Sequence, residues 1–102
     1  MDRYLIVYHG GPGASTGGEP HDPARWATWF DTLGASLVDR GALAHAAVEI
    51  PNRLLGPKES TSSLYGYTVI EAADFDAAVR LAEASPIFDE GGSVEVARLQ
   101  AA

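Results

Sequence analysis

The chain has 102 residues, 46% of them apolar and 21% charged, with a net charge of −7 from 14 acidic and 7 basic side chains. That length holds a single domain, residues 1–102, and the composition is that of a globular chain rather than a disordered one. The acidic balance argues against nonspecific nucleic-acid binding and against docking on an anionic membrane, and the lack of cysteine removes disulfides, thiolate catalysis and cysteine-ligated metal centres.

The absence of cysteine also fits a reducing compartment, so a cytoplasmic location is the expectation. No apolar run reaches the length of a membrane span. Met1-Asp2-Arg3 leads directly into a strand-like run, with no basic n-region and no export cleavage pattern, so no targeting segment is predicted.

Tyr4-Leu5-Ile6-Val7-Tyr8 is β-branched and aromatic without a polar break, which predicts a strand buried on both faces. The run ends at Gly10-Gly11-Pro12-Gly13, and residues 10–20, rich in Gly, Ser, Thr and Pro, predict a loop. Asp22-Pro23 predicts a helix start, with Asp22 as N-cap and Pro23 in the first turn. Trp26, Trp29, Phe30, Leu33, Leu37 and Val38 then recur at spacings of three and four, one apolar stripe, and Gly41 is placed to end the helix.

Leu43 to Ile50 reads as the second strand, closed by Pro51, and residues 51–63 as a polar connection. Leu64 to Glu71, carrying Tyr65, Tyr67, Val69 and Ile70, reads as the third strand. Asp74 is placed to cap a second helix over residues 75–84, with Phe75, Ala78, Val79 and Ala82 inward and Pro86 just beyond. Ser93 to Leu99 reads as the last strand.

The order β-α-β-β-α-β predicts an α+β, ferredoxin-like domain: a four-stranded antiparallel sheet with both helices on one face. The first strand presents Tyr4, Ile6 and Tyr8 to one side and Leu5, Val7 and His9 to the other. A bare sheet face of that kind exposes an apolar patch, so a homodimer that pairs two such faces is expected.

Several stretches, in chain order, resemble the YCII-related family and within it the DGPF-type proteins. They are Arg3 to Tyr8, Trp26-x-x-Trp29-Phe30-x-x-Leu33, Arg40-Gly41-Ala42-Leu43, Gly56-Pro57-Lys58-Glu59, Gly66-Tyr67-Thr68-Val69-Ile70, and Gly91-Gly92-Ser93-Val94-Glu95-Val96 leading to Arg98. The resemblance implies a ferredoxin-like fold assembled as a dimeric α/β barrel, with a cleft between sheet and helices. Some YCII members carry a His–Asp pair in that cleft, proposed as an acid–base site. Here Phe30 stands at the histidine position and Ser85 at the aspartate position, so that pair is not carried over. The DGPF segment is itself altered, with Leu55 and Lys58 in place of its aspartate and phenylalanine.

His9-Gly10-Gly11-Pro12-Gly13 resembles the oxyanion-hole segment of proline iminopeptidases, but the chain has no G-x-S-x-G elbow to supply a nucleophile. No Walker Lys-Ser or Lys-Thr follows the glycines. The three histidines, His9, His21 and His45, are scattered and lack i, i+4 spacing, so neither a metal site nor a cofactor is predicted. His21 reads as a solvated loop residue, whereas His9 and His45, placed in strands, read as parts of a polar pocket.

Glu95, between Val94 and Val96, is expected near the middle of the sheet, where a carboxylate needs a partner. Its two readings are a cleft acid or base and an ion pair at the dimer seam, with His9, His45 and Tyr67 as neighbours. Trp26, Trp29 and Phe30 read first as core, and Trp26, nearest the glycine loop, as the one to line a ligand pocket. The expected function is a small homodimeric binding domain with a small-molecule or partner cleft built around His9, His45, Tyr67, Glu95 and Trp26. The alternative is a small enzyme doing acid–base chemistry on a carbonyl-bearing or aromatic compound.

Overall fold

A computed structural model describes residues 1–11 and 18–102. The hydrolase-like glycine segment therefore lies in part, from Pro12 onward, outside the described residues.

The elements are β1 (Asp2–His9), α1 (Pro23–Leu33), β2 (Leu37–Leu43), β3 (Val48–Glu49), β4 (Lys58–Glu59), β5 (Leu64–Ala72), α2 (Phe75–Glu83) and β6 (Ser93–Arg98). Short 3-10 turns at Gly34–Ser36 and Pro86–Phe88 follow the two helices. The main sheet is antiparallel with order β2-β5-β1-β6. This is an α+β architecture of one four-stranded antiparallel sheet and two helices, compatible with the ferredoxin-like fold.

Alternation along the central strands separates two faces. Tyr4, Ile6 and Tyr8 of β1 and Gly66, Thr68, Ile70 and Ala72 of β5 are buried on the helix side. Trp26, Trp29 and Leu33 of α1 and Ala78 and Ala82 of α2 pack there with Tyr4, Ile6, Tyr8 and Ile70, so both helices cover the same face. Leu5, Val7 and Val69 lie half-buried on the other face, which no element among the described residues covers.

Both helix starts follow the local chemistry. Asp22 Oδ1 accepts the Ala24 N–H at 3.0 Å, with Pro23 in the first turn. Asp74 Oδ1 accepts the Ala77 N–H at 2.8 Å. These side chains satisfy N–H groups that the helix itself leaves without partners.

The end of α1 corrects the sequence reading. The helix stops at Leu33 because Gly34 takes φ 53° and turns its N–H onto the Asp31 carbonyl. Leu37 and Val38 open β2 instead of extending the helix; Leu37 packs inward against the core. The second sheet strand is thus 37–43, and Gly41, expected to terminate a helix, sits inside it at φ 71° beside a register shift. A Cβ on Gly41 would overlap the Tyr67 carbonyl, so the close approach of β2 to β5 requires glycine. Residues 44–63 then form an arm in which β3 and β4 pair only with each other, Val48 opposite Glu59 and Glu49 opposite Lys58.

A second correction concerns β6. Because β1 and β5 take the centre, β6 is an edge strand, and Glu95 is solvated at 73% side-chain exposure instead of buried mid-sheet. Arg98 does lie on the opposite face from Glu95, against Tyr4 and Phe75.

Candidate functional site

The cleft between α1 and the sheet is an open pocket of about 290 Å³. The helical spacing of Trp26 and Phe30 puts both rings on its α1 wall, the facing wall is β2 from Arg40 to Leu43, and Tyr8 and Thr68 contribute from the sheet. His21, the residue before the α1 cap, lines one end. The rings brace one another. Tyr8 meets Trp26 edge-on with centroids 4.9 Å apart, and the Arg40 guanidinium lies 4.7 Å above the Phe30 ring.

Tyr8 does not offer an acid to this cleft. Its O–H donates to Thr68 Oγ1 at 2.5 Å, and Thr68 donates in turn to the Arg40 carbonyl at 3.0 Å. Burial pushes the Tyr8 phenol far above its ordinary value, with the Thr68 hydrogen bond opposing in part, so the ring stays neutral.

Behind the Trp26 wall lies Glu90, at 0% exposure the only acidic side chain fully buried among the described residues. The 3-10 turn at Pro86–Phe88 places it: the Glu90 N–H reaches the Pro86 and Ile87 carbonyls, and the flanking Ile87 is core. Its carboxylate accepts the Trp26 indole N–H at 2.7 Å and faces His21 Nδ1 at 3.3 Å. A carboxylate only accepts, so Nδ1 carries the proton of that contact. The Tyr65 phenol nearby is raised first by burial and then by the negative charge of Glu90.

The residues expected to share a site are divided between places. His9 Nε2 and Glu95 Oε1 do meet, 3.4 Å apart, but on the uncovered face and close to solvent. Tyr67 borders the α1–sheet cavity along with Trp26, but Val7 stands between it and Glu95 in the strand register, about 10 Å from one to the other. His45, expected inside a strand, is exposed in a bend after β2 and borders a separate open hollow of about 480 Å³ with Gly10, Gly11 and Tyr65. Trp26 is both core and cleft wall. Among the described residues no three His, Asp or Glu side chains gather as a metal-ligand cluster.

His21 and Glu90 are the functional candidates that sequence reasoning missed. They are 69 positions apart, and only the closure of the turn after α2 onto the start of α1 joins them. A signal existed at Glu90: a carboxylate close behind the apolar Pro86-Ile87-Phe88, in a chain whose inward tryptophans need acceptors.

No family model matches the chain, and no match emerges among curated proteins or solved structures. The resemblance to YCII-related proteins therefore rests on the ordered motifs alone.

Proposed function

We propose that this chain is a homodimeric, YCII-like binding domain whose α1–sheet cleft takes a small molecule with a flat apolar body and a carbonyl or carboxylate oxygen. The observation that carries the reading is the buried Glu90 carboxylate, which ties Trp26 and His21 into one wall before any ligand arrives. A wall held in place spares the ligand the cost of ordering it.

Trp26 and Phe30 offer aromatic surface to the flat body. Arg40 takes part in none of the ion pairs among the described residues, which leaves its donors for an acceptor oxygen. In a chain of net charge −7 this cation is a local exception. The cavity, about 290 Å³, is at the small end for ligand pockets and suits one ring with a short side chain.

Phenylpyruvate has that shape. Titrated into ¹⁵N-labelled protein, it is expected to shift the Trp26 indole N–H and the His21 signals and to saturate in the millimolar range or below. Arg40→Ala is expected to weaken binding about tenfold, the loss of one charge-assisted hydrogen bond. No shift at either residue refutes the binding reading.

The dimer is supported by the uncovered sheet face, where Leu5, Val7 and Val69 form an apolar strip across β1 and β5 beside the exposed Tyr67. A two-fold copy of the same strip would cover it. Light scattering at micromolar concentration is expected to give twice the chain mass, and Val7→Asp is expected to halve it. A monomeric wild type refutes the pairing.

A further inference from the structure

Glu90 is more than a tryptophan anchor requires. A neutral amide would also accept the Trp26 N–H, with a weaker bond but without the desolvation cost of a carboxylate at 0% exposure. What the charge adds is a partner for the imidazole. With Nδ1–H turned toward Glu90, the lone pair of the neutral His21 ring is on Nε2, which has no hydrogen-bond partner among the described residues. His21 lines the cleft and Glu90 does not, so the imidazole stands between the buried carboxylate and any bound compound. This is the nested order of acceptor, imidazole and substrate used in general-base catalysis.

We infer that His21 is a proton-transfer base acting on a compound with a C–H bond next to a carbonyl, with Glu90 as its positioning residue and Arg40 as the partner of the carbonyl oxygen; this rests on the ligand-binding reading above. His21 Nε2 takes the α-proton. The C–H electron pair becomes a C=C bond, and the carbonyl π pair moves onto oxygen as an enolate, facing the Arg40 guanidinium. The imidazolium, held by Glu90, then returns the proton to oxygen, releasing the enol, or to carbon, regenerating the ketone. Nothing is oxidised or reduced and no second substrate is consumed, so the reaction class is keto–enol tautomerisation. Tyr8 takes no part, because its proton is committed to Thr68.

Phenylpyruvate carries the ring, the carbonyl and an acidic benzylic C–H. In D₂O near neutral pH, ¹H NMR is expected to show its benzylic protons exchanging about 10²–10⁴-fold faster with the protein than without it. His21→Ala is expected to bind the probe, lose the acceleration and regain rate on addition of free imidazole. Such a rescue reports a missing base and not a missing structural contact. Glu90→Gln is expected to lower kcat with KM unchanged; if that variant does not fold, the half-buried His21 position carries the test by itself. A Trp26 shift with exchange at the buffer rate overturns the catalytic role and leaves the binding reading standing. Absence of any Trp26 shift overturns both, and acceleration that survives His21→Ala assigns the chemistry to another group.

Discussion

Trp26→Phe removes one N–H donor from a closed site, and Trp29→Phe does the same elsewhere in the same core. The two indoles are buried alike, at 4% exposure each, so the loss of ring area is closely matched. Their acceptors differ. Trp26 donates to the Glu90 carboxylate at 2.7 Å, and Trp29 donates to the Leu81 carbonyl at 3.3 Å. A bond to a charged group contributes about 1.5–3 kcal/mol and a neutral one about 0.5–1.5 kcal/mol. The charged acceptor is also left with only His21 as a side-chain partner among the described residues when the indole goes. Trp26→Phe is therefore expected to cost about 1–2 kcal/mol more than Trp29→Phe. In a domain of this size that difference lowers Tm by roughly 4–15 °C. Urea and thermal unfolding followed by far-UV circular dichroism, at one protein concentration because dimerisation adds to stability, measures it. If Trp29→Phe proves equal or worse, the indole–carboxylate bond does not hold Glu90, and the claim of a wall fixed in advance fails with it.

Two further outcomes follow from the geometry. The Tyr8 phenol is raised by burial above its ordinary value of 10.0, so the folded state keeps a proton that the unfolded state gives up. Its contribution is complete below pH 10 and is lost as pH rises beyond it, by about 1.4 kcal/mol per pH unit for one proton. Urea midpoints measured from pH 8 to 11 are expected to fall more steeply above pH 10 in the wild type than in Tyr8→Phe; parallel curves would contradict the assignment. Gly41→Ala forces a Cβ into the Tyr67 carbonyl at a backbone angle that alanine rarely adopts. It is expected to destabilise by more than about 3 kcal/mol, read as lost soluble expression or a collapsed melting temperature, whereas Gly34→Ala, with open space around it, should cost less, because backbone strain alone and no overlap opposes it.

The fold was legible wherever one local rule decided the outcome. Asp22 and Asp74 announced both helix starts, and the alternation of Tyr4, Ile6 and Tyr8 with Leu5 and Val7 announced a two-sided strand. The second sheet strand was misplaced because Leu37 and Val38 follow Leu33 at helical spacing, and that spacing cannot tell the next turn of a helix from the first residues of an incoming strand. The helix ends at a glycine, but not at the expected Gly41. Gly34 ends it, while Gly41 is required by the approach of β5, a neighbour invisible to any local window. The site was less legible for the same reason. His9 was one of several neighbours open to Glu95, and the choice among them turns on strand order, which makes β6 an edge and belongs to the whole sheet. His21 sits in a segment without periodicity, and its partner becomes visible only once the chain has closed.

The sheet order β2-β5-β1-β6 has a consequence for assembly. Its three ladders each join a strand from before the β3–β4 arm to a strand from after it. Residues 1–47 contain β1 and β2, which are not neighbours, and residues 60–102 contain β5 and β6, which are not neighbours either. The two halves interdigitate like the fingers of clasped hands, so neither can form a sheet by itself. The two short strands of the arm that links them, β3 and β4, with Leu54 at 94% exposure between them, pair with neither half. A break in the arm would sever the chain while leaving every rung of the main sheet intact, which makes this domain a natural pair of complementing fragments. It also means that folding must wait for the second half before the first can take any β-structure.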